Sequence, residues 1–163
     1  MSDSFVYPGT FDPVTEGHMD IIRRASSLCQ HLVVAVLDND AKRTVFSVEE
    51  RVRMLELATA DMDNVSIRAF SGLTAEYMKI TGNKTLVRGL RAVSDFDYEL
   101  QMALLNKSIN PNLDTVFLLA NQDHLYLSSS VVRDLAKHKA DLTGFVPEEI
   151  KEIVAEKFCS NCK

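Results

Sequence analysis

Cysteine is scarce in this chain of 163 residues. There are three, an odd number, and the one close pair, Cys159 and Cys162, is a C-x-x-C at the C-terminal end with no second pair to complete a zinc site. That pair reads as two thiols in a terminal tail, and Cys29, set in a helical pattern, reads as a buried thiol. Long apolar runs are absent too. No stretch reaches the roughly 18 residues that a membrane-spanning helix requires. The N-terminus, Met1-Ser2-Asp3-Ser4, lacks the basic region and long apolar segment of a secretory signal, so the expected location is cytoplasmic. Positive charge is in deficit: the net charge is -5, and a general nucleic-acid or anionic-membrane surface normally needs the opposite sign. A small anion held by a few converging cations remains compatible with that balance. Repeats, linkers and low-complexity segments are missing, so residues 1–158 are expected to form one domain with 159–163 as a flexible tail.

Several chemical signatures are likewise missing. Neither G-x-x-x-x-G-K-[ST] nor G-x-G-x-x-G occurs, which removes P-loop and dinucleotide-binding readings. Neither G-x-S-x-G nor a Cys–His pairing points to a covalent nucleophile. No His/Cys/carboxylate cluster suggests a tight metal site, so no metal-ligating residue is expected.

What the chain does have is alternation. Strand-like segments at 5–7, 32–37, 65–70, 85–87 and 115–119 are separated by helical patterns at 19–28, 48–62, 74–80, 95–107, 128–137 and 147–157. The run Leu-Val-Val-Ala-Val-Leu at 32–37 is apolar throughout, as in a strand buried on both faces. Ser47 and Glu50 have the spacing of a capping box, and Gly82-Asn83 ends a helix. The pattern predicts an α/β fold: a Rossmann-like, doubly wound, five-stranded parallel sheet with helices on both faces. In such sheets ligands bind beyond the carboxyl ends of the strands, at the switch point of the strand order. The segment 95–107 carries two apolar stripes, Phe96, Leu100, Ala103 and Leu104 on one side and Tyr98, Met102 and Leu105 on the other. One stripe is expected on the sheet; the other needs a cover, from a second subunit or from the C-terminal segment.

The candidate chemistry sits at strand ends. The stretch Tyr7-Pro8-Gly9-Thr10-Phe11-Asp12-Pro13-Val14-Thr15-Glu16-Gly17-His18 is a Gly-containing strand-to-helix junction, which can aim backbone N–H groups and a helix dipole at a phosphate. Thr10 offers a hydroxyl and His18 an imidazole, although a lone His at a helix start is more often a simple polar cap. Lys42 lies in the loop after the second strand, where a solvated side chain is the ordinary alternative. Arg88-Gly89-Leu90-Arg91 follows the fourth strand, where two guanidiniums can converge on one anion. Their alternative is pairing with Asp95, Asp97 or Glu99. Ser128-Ser129-Ser130 opens a helix with hydroxyls and unbonded N–H groups.

Taken together these motifs resemble the bacterial phosphopantetheine adenylyltransferase family over nearly the whole chain. The matching segments include 7–13, Thr15-Glu16-Gly17-His18, 46–52, Arg88-Gly89-Leu90-Arg91 through Asp95-Phe96-Asp97-Tyr98-Glu99, and 128–132. Thr-x-Gly-His is shared across the superfamily; the segment 88–99 is the specific part. The resemblance implies adenylyl transfer from ATP to 4′-phosphopantetheine. It implies catalytic roles for Thr10, His18, Lys42 and Arg91, and acceptor binding by Thr10, Lys42, Thr74 and Arg88. ATP is implied to contact Thr10, Phe11, His18, Gly89, Leu90, Arg91, Glu99, His124, Leu125, Tyr126, Leu127, Ser128, Ser129 and Ser130. Mg²⁺ is implied as a cofactor carried by the nucleotide, coenzyme A as a feedback inhibitor, and a homohexamer, a dimer of trimers, as the assembly. No nucleic-acid or membrane partner is implied. Leu127 before the serines departs from the family's commoner pattern, and the C-x-x-C tail is not a family hallmark. Related families that use nicotinate mononucleotide, glycerol 3-phosphate or phosphocholine share the Gly-x-Phe-Asp and Gly-His elements. A non-catalytic nucleotide-binding module is the reading from another class, disfavoured because Thr10, His18, Lys42, Arg88 and Arg91 occur together.

Overall fold

The computed structural model describes residues 4–38 and 43–159. Five parallel strands, β1 (Ser4–Gly9), β2 (His31–Asp38), β3 (Val65–Ser71), β4 (Thr85–Leu90) and β5 (Asp114–Leu119), form one sheet in the order β3-β2-β1-β4-β5. The order reverses between β1 and β4, which pair from Phe5 to Thr85 and from Val6 to Leu86. Among the described residues six α-helices separate or follow the strands: α1 (Glu16–Ser27), α2 (Val48–Ala58), α3 (Thr74–Thr81), α4 (Val93–Ile109), α5 (Ser129–Lys137) and α6 (Lys151–Cys159). Among the described residues no helix is long and apolar enough to cross a membrane.

The side-chain alternation of the strands feeds two cores. Tyr7, Val34, Val36 and Val87 pack with Ile22 of α1, Met54 of α2, Val132 of α5 and Val154 of α6. Val6, Ala35 and Leu86, their immediate neighbours in sequence, pack on the other face with Ala75 and Met78 of α3. The strands therefore read as continuous apolar runs because both faces are covered.

Element types match the sequence reading, and several boundaries shift for local reasons. Helix α1 begins at Glu16 rather than 19, because Thr15 caps it and Gly17 and His18 fall in its first turn. Strand β4 continues past 87 to Leu90, paired with Phe117, Leu118 and Leu119, so Arg88 and Gly89 lie inside the strand and not after it. The capping box of Ser47 and Glu50 is present, and Gly82 ends α3 with a left-handed φ of 74° that a glycine adopts without strain. The helical pattern at 147–157 divides into a 3-10 turn (Glu148–Ile150) and α6. Cys29 is half-buried, its thiol donating to the Ala25 carbonyl at 3.3 Å.

The largest departure concerns α4. Neither apolar stripe meets the sheet as a whole: Phe96, Tyr98, Leu100, Leu104 and Leu105 are exposed, and Met102 and Ala103 are half-buried. Among the described side chains of α4, those buried against the chain's own fold are Glu99 and Asn106, with the C-cap Asn110. Asn110 ties α4 to α3 by donating to the Ala75 carbonyl at 3.5 Å. Among the described residues the C-terminal segment covers neither stripe, because α6 packs with α5 on the opposite side of the sheet.

Candidate active site

A cavity of about 480 Å³ opens beyond the carboxyl ends of β1 and β4, at the switch point of the strand order. It is lined by Thr10, His18, Arg88 and Arg91 and by Ser128 and Ser129. A second cavity of about 290 Å³ shares Thr10 and Arg88 with the first and extends under α4, lined by Thr74, Leu37, Met102 and Asn106. Thr10 and Arg88 thus stand where the two spaces meet.

The turn after β1 depends on a close approach. Phe11 takes a left-handed φ of 51° and folds its ring back over Gly9, where a Cβ would stand 2.8 Å from the ring. Only glycine leaves that space. The Asp12–Pro13 peptide is cis. Phe11 then makes edge-on contacts with Tyr7 and His18, at ring-centroid distances of 5.4 Å and 5.1 Å. Its side chain is buried, so its backbone is the part that can meet a ligand. The Tyr7 hydroxyl is buried beside Arg88, and burial pushes its pKa up to about 12, so the phenol stays neutral.

Thr15 and His18 complete a reciprocal cap. The Thr15 hydroxyl accepts from the His18 backbone N–H at 3.3 Å, and the Thr15 backbone N–H donates to His18 Nδ1 at 3.1 Å. A backbone N–H can only donate, so Nδ1 holds a lone pair and the proton of the neutral ring sits on Nε2. Burial, with the charges of Arg91 and Arg88, lowers the His18 pKa to about 4. At neutral pH the ring is therefore an uncharged donor through Nε2, in the wall of the larger cavity.

The arginines of β4 and its exit do both things considered for them. Arg88 forms a fork-to-fork pair with Glu99, Nε to Oε2 at 2.8 Å and Nη2 to Oε1 at 2.7 Å, and donates through Nη1 to the Pro8 carbonyl at 3.0 Å. Two of its five N–H groups have no partner among the described residues. Arg91 Nε lies 3.4 Å from Asp95 Oδ2, and its Nη1 donates to the Leu127 carbonyl at 3.4 Å. Both guanidiniums line the larger cavity.

The segment before α5 is shaped by its own caps. Asn121 accepts from the Asp123 N–H and starts a 3-10 turn at Gln122–His124. Leu127 is buried, and Ser128 caps α5 by accepting from the Val131 N–H at 3.3 Å. Ser129 donates to the Pro13 carbonyl at 2.8 Å, and Ser130 accepts from Arg133 at 3.1 Å. The backbone N–H groups of Ser129 and Ser130 open the helix without intrahelical acceptors.

Of the residues singled out from sequence, Thr10, Phe11, His18, Gly89, Arg91, Glu99, His124, Leu127, Ser128 and Ser129 line the larger cavity. Thr74 lines the smaller one. Leu90 is buried in β4, and the Leu125 and Tyr126 side chains are exposed, with Tyr126 edge-on to Phe145. Lys42 lies outside the described residues. Glu99 faces the cavity as the partner of Arg88 and not as a free carboxylate. Two further residues escaped the sequence reading. Asp12 accepts the N–H groups of Val45 at 3.0 Å and Phe46 at 2.9 Å, and Arg51 is buried beneath Thr10. Their only signal was position: Asp12 inside the turn motif, and Arg51 one residue past a capping box.

The sequence profile of the cytidylyltransferase-like family matches residues 6–135. A phosphopantetheine adenylyltransferase of Caldanaerobacter subterraneus is 48% identical over 153 residues, covering 94% of this chain and 96% of that protein. One from Clostridium kluyveri is also 48% identical, covering 94% and 93%. Among solved structures, a bifunctional NMN adenylyltransferase/ADP-ribose pyrophosphatase from Francisella tularensis superposes with a TM-score of 0.74 at 14% identity. That match covers 99% of this chain and 51% of the larger protein. Such a likeness concerns the fold.

Proposed function

We propose a reaction from one premise: the chain belongs to the phosphopantetheine adenylyltransferases, within the cytidylyltransferase-like nucleotidyltransferases. It is an enzyme that transfers adenylyl reversibly from ATP to 4′-phosphopantetheine, giving dephospho-coenzyme A and pyrophosphate. The observation that carries the reading is the meeting of two cavities at Thr10 and Arg88, one walled by His18 and Arg91 and the other running beneath α4 past Thr74. ATP belongs in the larger cavity, and the phosphate of phosphopantetheine belongs at the junction with its arm along the smaller one.

In the forward direction an oxygen of the acceptor phosphate forms a bond to the α-phosphorus. The bond from that phosphorus to the β-phosphate bridging oxygen breaks, and pyrophosphate leaves with the electron pair. The attacking phosphate is already ionised near neutral pH, so no side chain has to remove a proton. Catalysis rests on positioning and on donors aimed at the charge of the pentacoordinate state. Thr10 supplies a hydroxyl, and His18 supplies Nε2–H from a ring fixed in one tautomer. Arg91 and the N–H groups at the start of α5 hold the leaving phosphates. Arg88 holds the acceptor through its two unused N–H groups, the others being taken by Glu99 and the Pro8 carbonyl. Lys42 keeps its acceptor-side assignment from the family resemblance.

The remaining expectations follow the same reading. The carboxylates facing the larger cavity, Asp95 and Glu99, already pair with Arg91 and Arg88, so Mg²⁺ fits as an ion held by the nucleotide phosphates. Its chemistry there is neutralisation of phosphate charge. Coenzyme A shares the pantetheine arm and would inhibit by occupying the smaller cavity. The exposed apolar residues of α4 support self-association, with a homohexamer as the proposed assembly. A biosynthetic enzyme of this kind is proposed to work in the cytoplasm.

The test is a coupled pyrophosphate-release assay with ATP and 4′-phosphopantetheine. Nicotinate mononucleotide, glycerol 3-phosphate and phosphocholine serve as alternative acceptors, each with ATP and with CTP. Release with phosphopantetheine and ATP is the expected result. Faster release with any other pair would overturn the acceptor, and no release with any pair would overturn the enzyme reading.

A further inference from the structure

Among the described residues Arg51 is the largest fully buried side chain, 1% exposed, and the reaction above makes no use of it. Its hydrogen-bond partners among the described residues are all carbonyls. Nη1 donates to Thr10 O at 2.8 Å and to Leu37 O at 2.9 Å, while Nε donates to Phe46 O at 3.2 Å and Ser47 O at 3.3 Å. Arg88, Arg91 and Arg133 each lie against a carboxylate, whereas Arg51 forms no ion pair among the described residues. A buried guanidinium held by main-chain oxygens fixes those oxygens in turn, because moving the Thr10 or the Leu37 carbonyl leaves a charged Nη1 donor unpaired in the interior. The fork geometry is what lets one side chain hold four of them.

The four carbonyls belong to three separate segments: the turn after β1, the last residues of β2, and the entry to α2. Asp12 ties two of the same segments in the reverse sense, accepting from Val45 and Phe46. The turn that carries Thr10 is therefore braced against α2 in both directions. The two residues held by Nη1 are also two walls of the smaller cavity. Leu37 lines that cavity alone, and Thr10 lines both.

We propose that Arg51 is a positioning residue for the acceptor half of the site, acting through the Thr10 and Leu37 carbonyls that its guanidinium holds across the end of the smaller cavity. This rests on the adenylyltransferase reading. A shift of the Thr10 turn misplaces a donor at the reacting phosphorus, and a shift of Leu37 changes the wall against which the acceptor lies. Small misplacements of this kind cost rate steeply.

The experiment measures kcat and both KM values for the unaltered enzyme, Arg51→Met and Arg51→Lys, at a temperature where circular dichroism shows each to be folded. Arg51→Met is expected to lower kcat at least tenfold and to raise KM for phosphopantetheine at least fivefold, with KM for ATP within twofold. Arg51→Lys, which keeps the charge but not the fork, is expected to fall between the two. Loss of folded protein lowers apparent kcat but moves neither KM, so the asymmetry of the two KM values separates positioning from stability. Equal KM changes, or none, would overturn the proposal. If Arg51→Met does not fold, the same ratio in Arg51→Lys decides. If the unaltered enzyme releases no pyrophosphate, the reaction fails and not the brace. In that case calorimetric titration of the same proteins with phosphopantetheine and with ATP decides, and equal affinity changes for the two ligands, or none, would overturn the proposal.

Discussion

Helices α1 and α4 flank the same site from opposite faces of the sheet and are built on opposite plans. Helix α1 buries Met19, Ile21, Ile22 and Ala25 and turns Arg23 and Arg24 outward. Helix α4 buries Glu99 and Asn106 and turns Tyr98, Leu104 and Leu105 outward. Helix α1 starts from a reciprocal cap, whereas α4 starts at Ala92 with no side-chain cap. The first helix is completed within its own chain and delivers His18 rigidly. The second lines a cavity with its polar side, supplies the counter-charge for Arg88, and leaves its apolar side to be covered from outside. Inward polarity on a helix that packs on a sheet marks a ligand space beneath it.

The largest effect should come from the first turn of α1. His18→Ala is expected to cost roughly 3 kcal/mol or more in transition-state stabilisation, the scale for loss of a preorganised donor. That is a fall in kcat/KM of at least a hundredfold by steady-state pyrophosphate release, and near-unchanged turnover would remove His18 from the mechanism. The α1 plan is tested next by Ile22→Ala. Emptying this fully buried position should cost about 3 kcal/mol in urea unfolding. Leu104→Lys makes the matching change on α4, where the side chain is 63% exposed. It should leave each chain folded while lowering the mass seen by light scattering. Should Leu104→Lys unfold the chain as a core substitution does, the outward face of α4 would belong to the chain's own core and the contrast would collapse.

Glu99→Gln tests the inward side of α4. It keeps the shape of the side chain but removes the charge opposite Arg88, and should cost about 2 kcal/mol of stability. KM for phosphopantetheine should rise more than KM for ATP, as it should in Arg88→Ala. Equal losses for the two substrates would show that Arg88 does not divide the site as proposed.

The fold was legible because its signals are local and redundant. An all-apolar run at β2, a capping box at Ser47 and a glycine stop at Gly82 each point to one element, and their alternation allows few topologies. The residues that line the two cavities were legible for the same reason, since Thr10, His18, Arg88 and Ser128 each follow an apolar run or a turn. What stayed hidden depends on contacts between distant segments. The brace of Arg51 joins positions 14 and 41 residues away, and nothing in its local pattern sets it apart from a surface arginine on an amphipathic helix. The inversion of α4 was hidden because two apolar stripes do not say which side meets the sheet. The pairing of Glu99 with Arg88, 11 residues away, was one of the alternatives that the sequence left open, because spacing alone does not say which of Asp95, Asp97 and Glu99 an arginine meets.

The smallest effect separates the Thr15 hydroxyl from the Thr15 backbone N–H as partners of the His18 ring. Thr15→Ala removes the hydroxyl that accepts the His18 N–H at 3.3 Å and lies 3.0 Å from His18 Nδ1, and should cost about 1 kcal/mol of stability. It leaves the Thr15 backbone N–H in place, so Nδ1 still accepts and the proton stays on Nε2. The depression of the His18 pKa to about 4 comes first from burial and then from Arg91 and Arg88, none of which this substitution removes. An unfolded chain titrates the same imidazole near 6.5, so between those two values it binds more protons than the native state. The stability contributed by the neutral ring is therefore complete above about pH 6.5 and is lost as pH falls toward 4. Nitrogen NMR of the ring should report an Nε2–H tautomer and a midpoint close to the same low value in both proteins. A midpoint that returns to 6.5 in Thr15→Ala would mean that the hydroxyl, and not burial beside the arginines, keeps His18 neutral. The rigid delivery of His18 would then rest on the cap alone, and the difference between α1 and α4 would reduce to whether a helix has one.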